Sequence, residues 1–301
     1  MPRASGHTKV IGRELLRKIR RLEIATRKAV HEQLAGQYHS RFKGHGIAFA
    51  EVRPYQPGDE VRRIDWNVSA RSGELFVKVF HEERELTVML LVDVSASGDF
   101  GSGARSKTEA AAQLAAQVAF SAVANGDRVG LILFSDSVEK LVPPRKGRKH
   151  ALAIIADILT HEPVGRGTNL DAALTALLLA QRRRAVVFLI SDFQARGYEQ
   201  RLTVVAKKHD LVPVAISDPV ENELPDTGLF ALVDPETGEA AVVDTSDPEV
   251  RRRYWRAIRG EAESRRALFR RLRVDSLELS VEDDHGDALA RLFRRRSRGR
   301  A

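Results

Sequence analysis

The hydrophobic positions follow different patterns in different parts of the chain. Residues 11–34 carry apolar side chains at spacings of three and four, which predicts an amphipathic helix that ends near Gly36. Residues 47–85 show short alternating segments separated by proline and glycine, which predicts strands and turns. From residue 86 onward, unbroken apolar runs of strand length alternate with helical patterns, as in a parallel sheet that is covered on both faces.

The apolar runs after residue 86 predict four buried strands, LTVMLLVD, RVGLILF, AVVFLIS and LVPVAIS. We expect a return strand at 138–142, a hairpin at 229–243, a strand in VDSLELSV and a closing helix. We also expect helices at 107–124, 148–160, 170–182 and 199–208, and a long helix after Asp247-Pro248 that runs to about 271. The predicted fold class is therefore α/β, with three layers and a mostly parallel, Rossmann-like sheet. The predicted domains are an N-terminal helix with a strand-rich segment at 1–85 and the α/β domain at 86–301.

Composition excludes several kinds of site. The 301 residues include no cysteine, which excludes disulfides, thiolate catalysis, cysteine-based zinc fingers and iron–sulfur clusters. Any metal must therefore bind to oxygen or imidazole. The first residues lack the apolar stretch of a secretory signal, and no run of about 18 uncharged apolar residues occurs, so we expect a cytoplasmic protein without a membrane span.

Positive charge is concentrated in three segments of the chain. The net charge is +8, and Lys and Arg cluster in residues 1–46, 250–273 and 291–301. Such clusters are typical of solvated helix faces or of surfaces that bind nucleic acid or anionic membranes. Aromatic residues make up only 6% of the chain, which gives little support for a platform that stacks bases.

Polar side chains follow the predicted strands at their carboxyl ends, where ligands bind in open α/β sheets. Asp93 ends the first strand, and Ser95 and Ser97 lie in the loop after it. Thr168 lies in the loop GRGTNL, and Asp192 follows the strand AVVFLIS. This set of oxygen atoms suits Mg²⁺, or Mn²⁺ in its place, and leaves an open position for an incoming carboxylate. Each residue also has a structural alternative: loop hydrogen bonds for the serines, a helix N-cap for Thr168 and a turn cap for Asp192.

The five residues Asp93, Ser95, Ser97, Thr168 and Asp192 resemble the metal-ion-dependent adhesion site (MIDAS) of von Willebrand factor type A (vWA) domains. Phe193 stands where adhesion domains often have glycine. The resemblance implies that the three hydroxyls are direct ligands and that the two aspartates bind directly or through water.

The upstream segment, above all RPYQPGDEVRRIDW, is similar to the signature of the bacterial domain-of-unknown-function 58 (DUF58) family, whose members join it to a type A domain. Members commonly accompany MoxR-type AAA+ ATPases, which implies an accessory role in the assembly or activation of other proteins. Within the signature we expect the opposite charges to pair with each other, Gly58 to form a turn and Trp66 to act as an apolar anchor.

Competing functions remain open. GSGARSKT nearly spells a phosphate-binding loop, but Ser106 replaces its penultimate glycine. Asp93 could act as the nucleophile of a metal-dependent phosphohydrolase, but Ser95 stands where such enzymes need a second carboxylate. We therefore predict a non-enzymatic protein that binds an acidic residue of a protein partner through the metal. Nucleic-acid binding by the basic helices and phosphohydrolase activity are the alternatives.

Overall fold

The computed structural model describes residues 20, 48–81, 85–99, 105–233 and 236–298. Apart from residue 20, the predicted helix over 11–34 and the glycine-rich segment after it lie outside the described residues. The chain divides into two compact units, one within Phe42–Leu86 and one that includes Thr87–Ala301. The domain division at residue 85 stays a prediction, because most of the first 47 residues are not described.

The smaller unit is built on one antiparallel strand pair. Strand β1 (Ala48–Pro54) pairs with β2 (Phe76–His81), and a 3₁₀ turn (Val61–Arg63) and helix α1 (Trp66–Ser72) lie between them in the chain. The strands and turns expected in this segment are confirmed, whereas the short helix α1 was not predicted. Trp66 is 63% exposed, so the expectation that it forms an apolar anchor is wrong.

The charged residues of the signature pair with each other, as predicted. The Arg53 guanidinium donates to both carboxylate oxygens of Asp59, at 2.7 and 2.6 Å, which is the bidentate geometry that favours arginine. Asp59 also accepts the backbone N–H of Gln56 at 2.9 Å. Gly58 has a φ of 110°, a conformation that glycine adopts without a steric penalty. The ion pair therefore closes the turn that Pro57 and Gly58 form.

The larger unit is built on a six-stranded sheet in the order β10-β7-β6-β3-β4-β5. Its strands are β3 (Thr87–Asp93), β4 (Arg128–Phe134), β5 (Val138–Arg145), β6 (Val186–Ser191), β7 (Asp210–Ser217) and β10 (Leu277–Ser280). Only the edge strand β5, which contains Pro143 and Pro144, runs antiparallel to its neighbour. The chain leaves β3 for β4 on one side and later returns to β6 on the other. The strand order therefore reverses at β3, which places the expected ligand crevice beside its carboxyl end.

Helices cover both faces of this sheet. They are α2 (Lys107–Ala124), α3 (Arg148–Thr160), α4 (Leu170–Ala180), α5 (Glu199–Lys208), α6 (Pro219–Asn222), α7 (Pro248–Leu272) and α8 (His285–Arg298). Met89 and Leu91 pack in one core with residues of α4, α5 and α7. Leu90 and Val92 point to the opposite face and are also fully buried. The predicted fold class is therefore confirmed.

Two strands of the larger unit lie outside the main sheet. Strand β8 (Leu229–Val233) pairs with β9 (Ala240–Asp244) as an antiparallel hairpin, at the position that the sequence predicted. Among the described residues, no helix combines the length and the apolar character that a bilayer crossing needs.

Candidate functional site

Four of the five predicted ligands line one small pocket at the carboxyl ends of β3 and β6. Asp93, Ser95, Ser97 and Asp192 share this pocket with Lys107, among other residues. Strands β3 and β6 are parallel neighbours, with Val92 paired to Ile190, so the residues that follow them meet at the same edge of the sheet. This topology explains why residues a hundred positions apart come together.

The loop after β3 presents two buried hydroxyls. Asp93 Oδ1 accepts the backbone N–H of Ser95 at 3.0 Å, which turns the chain directly after the strand. A 3₁₀ turn (Ala96–Asp99) follows, and the Ser95 and Ser97 hydroxyl oxygens lie 3.0 Å apart. Ser95 is 2% exposed and Ser97 is 8% exposed. Their side chains therefore face the pocket rather than the solvent.

Asp93 is a carboxyl group in an unfavourable electrostatic position. Its Oδ2 accepts a hydrogen bond from the Ser191 hydroxyl at 2.6 Å. Burial, followed by repulsion from Asp192, raises the pKa of Asp93 to about 7, although hydrogen bonds from Ser191 and Ser95 oppose the shift. The pocket therefore disfavours ionisation of Asp93 beside Asp192.

Lys107 supplies the positive charge on the other side of the pocket. Its Nζ lies 3.1 Å from Asp192 Oδ2 and 2.5 Å from Glu221 Oε1. Burial lowers the pKa of Lys107, but the charges of Asp192 and Glu221 outweigh that effect and the net shift is upward. Sequence reasoning assigned Lys107 only to the start of α2, and no local pattern links it to residues 85 and 114 positions away.

The segment GSGARSKT, which resembles a phosphate-binding loop, has structural roles for Ser106 and Lys107. Ser106 caps α2, because its hydroxyl accepts the backbone N–H of Glu109 at 3.2 Å. Lys107 is directed to two carboxylates, so its charge is already used within the fold. The residues 101–104 of this segment lie outside the described part of the chain.

Phe193, two residues after the end of β6, has an unusual backbone conformation. Its φ is 60°, in the left-handed region that favours glycine, the residue that adhesion domains often have at this position. The Phe193 N–H donates to the Ser191 hydroxyl at 3.0 Å, and the ring packs against Phe269 with centroids 5.4 Å apart. Such a backbone costs about 1–3 kcal/mol, and the burial of the ring, which is 5% exposed, offsets it. The Asp192 carboxylate accepts the N–H of Gln194 at 3.1 Å and so caps a turn. This turn cap is the structural alternative that the sequence offered for Asp192.

Thr168 lies on an adjoining loop and does not line this pocket. The loop contacts the first one directly, because the N–H of Ala96 donates to the carbonyl of Arg166 at 3.0 Å. Asn169, not Thr168, caps helix α4, so the N-cap alternative for Thr168 is wrong. The Thr168 hydroxyl instead donates to Glu236 Oε1 at 2.7 Å.

The turn between β4 and β5 fixes the GRGTN loop in place. Asp136 Oδ2 accepts the N–H of Arg166 at 2.9 Å, and the Ser135 carbonyl accepts the N–H of Asn169 at 2.8 Å. A side chain at Gly165 would place its Cβ 2.6 Å from Asp136 Oδ2, and one at Gly167 would clash with Asp136 Oδ1. The two glycines are therefore needed because the loop lies directly against this turn.

Glu139 of β5 ties the same loop down with its carboxylate. It accepts hydrogen bonds from the Ser135 hydroxyl, from His161 Nε2 at 2.6 Å and from the N–H groups of Val164 and Gly165 at 3.0 Å. Burial opposes ionisation, but these donors outweigh it and lower the pKa of Glu139 to about 2. Sequence reasoning did not identify this residue.

Several arginines of the basic helices are paired with acidic residues. Arg252 and Arg256 of α7 contact Glu249, and Arg266 contacts Glu278 of β10. Arg296 of α8 contacts Asp210 and Asp275. These pairs agree with the interpretation of solvated, ion-paired helix faces and add no support for nucleic-acid binding.

The chain matches the family model described as "Protein of unknown function DUF58" over residues 51–264. It belongs to the DUF58 family. It is 32% identical to the uncharacterized protein Rv1480 of Mycobacterium tuberculosis over 95% of this chain and 91% of that protein. Among solved structures, it is similar to BatB from Bacteroides thetaiotaomicron, with 14% identity over 71% of this chain and all of that one and a TM-score of 0.46. It is also similar to the SpRpn10 VWA domain, with 13% identity over 70% and 95% of the two chains and a TM-score of 0.39.

Proposed function

We propose that this DUF58 protein is a non-enzymatic, cytoplasmic accessory protein that binds a protein partner through a divalent metal ion at the pocket beside β3 and β6. The metal would be Mg²⁺ or Mn²⁺, held by Asp93, Ser95, Ser97, Thr168 and Asp192. The partner would supply an acidic side chain, and a MoxR-type AAA+ ATPase would act with the pair.

The observation that carries this proposal is the shared pocket of Asp93, Ser95, Ser97 and Asp192. Every candidate ligand atom is an oxygen, which is the donor type that Mg²⁺ and Mn²⁺ prefer. The Ser95 and Ser97 hydroxyl oxygens lie 3.0 Å apart. Adjacent ligands of an octahedral Mg²⁺ are about 2.9 Å apart when each bond is about 2.1 Å long. The serine pair therefore fits one edge of such a site.

The charge of the pocket also suits a divalent cation. Asp93 and Asp192 share it with one buried lysine, and Lys107 is itself divided between Asp192 and Glu221. A bound cation would supply the missing positive charge and a point of attachment for a carboxylate. Because only two of the five candidate ligands are anionic, the ion would keep charge with which to attract an acidic side chain.

We include Thr168 in this set because its loop contacts the serine loop. The hydrogen bond from Ala96 to Arg166 holds the two loops together, and Asp136 and Glu139 fix the Thr168 loop from the other side. Its hydroxyl is part-buried and is hydrogen-bonded to a carboxylate. The accessory role and the ATPase partner rest on membership in the DUF58 family and on the resemblance from which we inferred them.

Calorimetric titration with Mn²⁺ tests the metal site. We expect the wild type to bind one ion and Asp93→Asn to lose affinity by roughly tenfold or more. Asp226→Asn is the matched control, since Asp226 is an exposed aspartate that pairs with Arg251. Circular dichroism shows whether each variant is folded. A wild type that binds no Mn²⁺, or an Asp93→Asn variant that binds as well as the control, contradicts the proposal.

Co-purification with the MoxR-type ATPase of the same organism tests the partner. Removal of metal by EDTA would also strip Mg²⁺ from the ATPase's nucleotide. The comparison is therefore made at constant Mg²⁺ between the wild type, Asp93→Asn and Asp226→Asn. Loss of the complex in Asp93→Asn alone supports a metal-dependent contact, and equal recovery of all three rejects it.

A further inference from the structure

A carboxylate of this chain already contacts Thr168, one of the five proposed metal ligands. Glu236 belongs to the connection between β8 and β9, and its Oε1 accepts the Thr168 hydroxyl at 2.7 Å. Its other oxygen, Oε2, lies 3.6 Å from the point where a Cβ at Gly167 would stand. The carboxylate therefore contacts the GRGTN loop, and Thr168 lies 68 residues away from it in sequence.

The spacing of these two oxygens matches that of neighbouring metal ligands. Adjacent oxygens around an octahedral Mg²⁺ are about 2.9 Å apart. The Thr168–Glu236 distance of 2.7 Å is close to this value, as is the 3.0 Å between the Ser95 and Ser97 hydroxyls. A hydroxyl and a carboxylate at this separation can bind one cation side by side.

The hairpin that carries Glu236 is anchored at its base. Thr245 is fully buried, and its N–H and hydroxyl both donate to the Gly228 carbonyl at 2.7 Å. Thr245 Oγ1 also accepts the N–H of Thr227 at 3.2 Å. These bonds join the two ends of the hairpin where β9 leads into α7.

The strands of the hairpin beyond this base are weakly held. Strands β8 and β9 pair only with each other within the described residues. Leu229, Val233 and Val242 on these strands are 76%, 61% and 72% exposed. An isolated two-stranded hairpin is marginally stable in water. Little packing of the hairpin strands therefore opposes replacement of the contact between Glu236 and Thr168 by a competing carboxylate.

We propose that Glu236 is the chain's own ligand for the open position of the metal site, which the acidic side chain of a partner must displace. The inference rests on the proposed function and adds a residue to it. It assigns the hairpin a regulatory role, since the site is closed by an internal carboxylate until a partner carboxylate takes its place. The partner class that fits is a protein segment with an accessible Asp or Glu.

Two measurements test this inference: the affinity for Mn²⁺ and the relaxation rate of water protons. The relaxation rate rises when more water molecules coordinate the Mn²⁺ ion. Glu236→Gln and Glu236→Ala remove the internal carboxylate. We expect both to weaken Mn²⁺ binding by roughly tenfold and to raise the relaxivity of the Mn²⁺ complex as water enters the open position. Glu239→Gln, at an exposed carboxylate of the same hairpin, is the matched control and should change neither quantity.

Acetate provides a rescue measurement. It should lower the relaxivity of Mn²⁺-loaded Glu236→Ala by replacing the missing carboxylate, and it should have a smaller effect on the wild type. If the wild type binds Mn²⁺ and both Glu236 variants match Glu239→Gln, the inference is overturned while the metal site stands. If the wild type binds no Mn²⁺, the proposed function fails and the inference fails with it.

Discussion

Lys107 and Asp192 form a buried ion pair that joins the start of α2 to the end of β6. The two groups lie 3.1 Å apart, and their side chains are 5% and 4% exposed. Removal of one partner from such a pair leaves an uncompensated charge in a poorly solvated place. The pair therefore couples the stability of the larger unit to the pocket that holds the candidate ligands.

Lys107→Met should destabilise the protein strongly. The variant leaves Asp192 and Glu221 without their shared cation, and breaking a buried pair typically costs about 3–5 kcal/mol. Urea unfolding in the presence of EDTA measures the loss. Lys149→Met, at an exposed lysine on α3, should change the free energy of unfolding little. Equal stability of the two variants would show that the buried pair is not needed.

Asp93→Asn should stabilise the metal-free protein in a pH-dependent way. The folded-state pKa of Asp93 is about 7 against an ordinary value of 3.8, so folding favours the protonated carboxyl. The stability that the protonated Asp93 carboxyl contributes to the wild type is present below pH 3.8 and is lost as the pH rises through about 7. The difference in stability between Asp93→Asn and the wild type should therefore grow between these two pH values and stay constant above them. Melting temperatures measured in EDTA across this range check the trend, and parallel curves would contradict it.

Glu139→Gln should show the opposite dependence on pH. The folded-state pKa of Glu139 is about 2 against an ordinary value of 4.5, so folding favours the ionised carboxylate. The stability that it contributes is present above pH 4.5 and is lost as the pH falls through about 2. Glu139→Gln should be less stable than the wild type near neutral pH, and the gap should narrow in acid. Denaturant unfolding at several pH values measures the gap, with the exposed Glu282→Gln as the control.

Gly167→Ala and Gly260→Ala should change stability in opposite directions. A Cβ at Gly167 meets the Asp136 carboxylate, which would push the Thr168 loop out of place at a cost of about 1–3 kcal/mol. A Cβ at Gly260, in the exposed middle of α7, meets nothing within 4 Å and should stabilise the helix by up to about 1 kcal/mol. Thermal unfolding compares the two variants. If both are stabilised, the loop does not need glycine at Gly167.

The strands and most helices of the larger unit could be predicted because their signals are local. β4 occupies the residues of its apolar run, and α2 begins at Lys107 because Ser106 supplies a cap. The candidate ligands Asp93 and Asp192 could be found because Asp93 ends one such run and Asp192 directly follows another. Their proximity then follows from the rule that ligands bind at the carboxyl ends of parallel strands.

The residues that sequence reasoning missed depend on contacts between distant segments. Glu221 reaches Lys107, Glu139 reaches the GRGTN loop, and Glu236 reaches Thr168, all from elements separated widely in sequence. No spacing or periodicity marks one exposed-looking glutamate among many as the partner. Helix α1 was missed for a different reason, since its seven residues form only about two turns and are too few to show a periodic pattern.

The edge strand β5 has a consequence for the behaviour of the protein at high concentration. An edge strand offers unpaired N–H and C=O groups to any other strand, which is a common route to aggregation. Pro143 and Pro144 have no N–H to donate, and Lys140 and Arg145 place charge on the same strand. A second molecule therefore finds no continuous ladder of donors along β5, and the sheet resists growth across this edge.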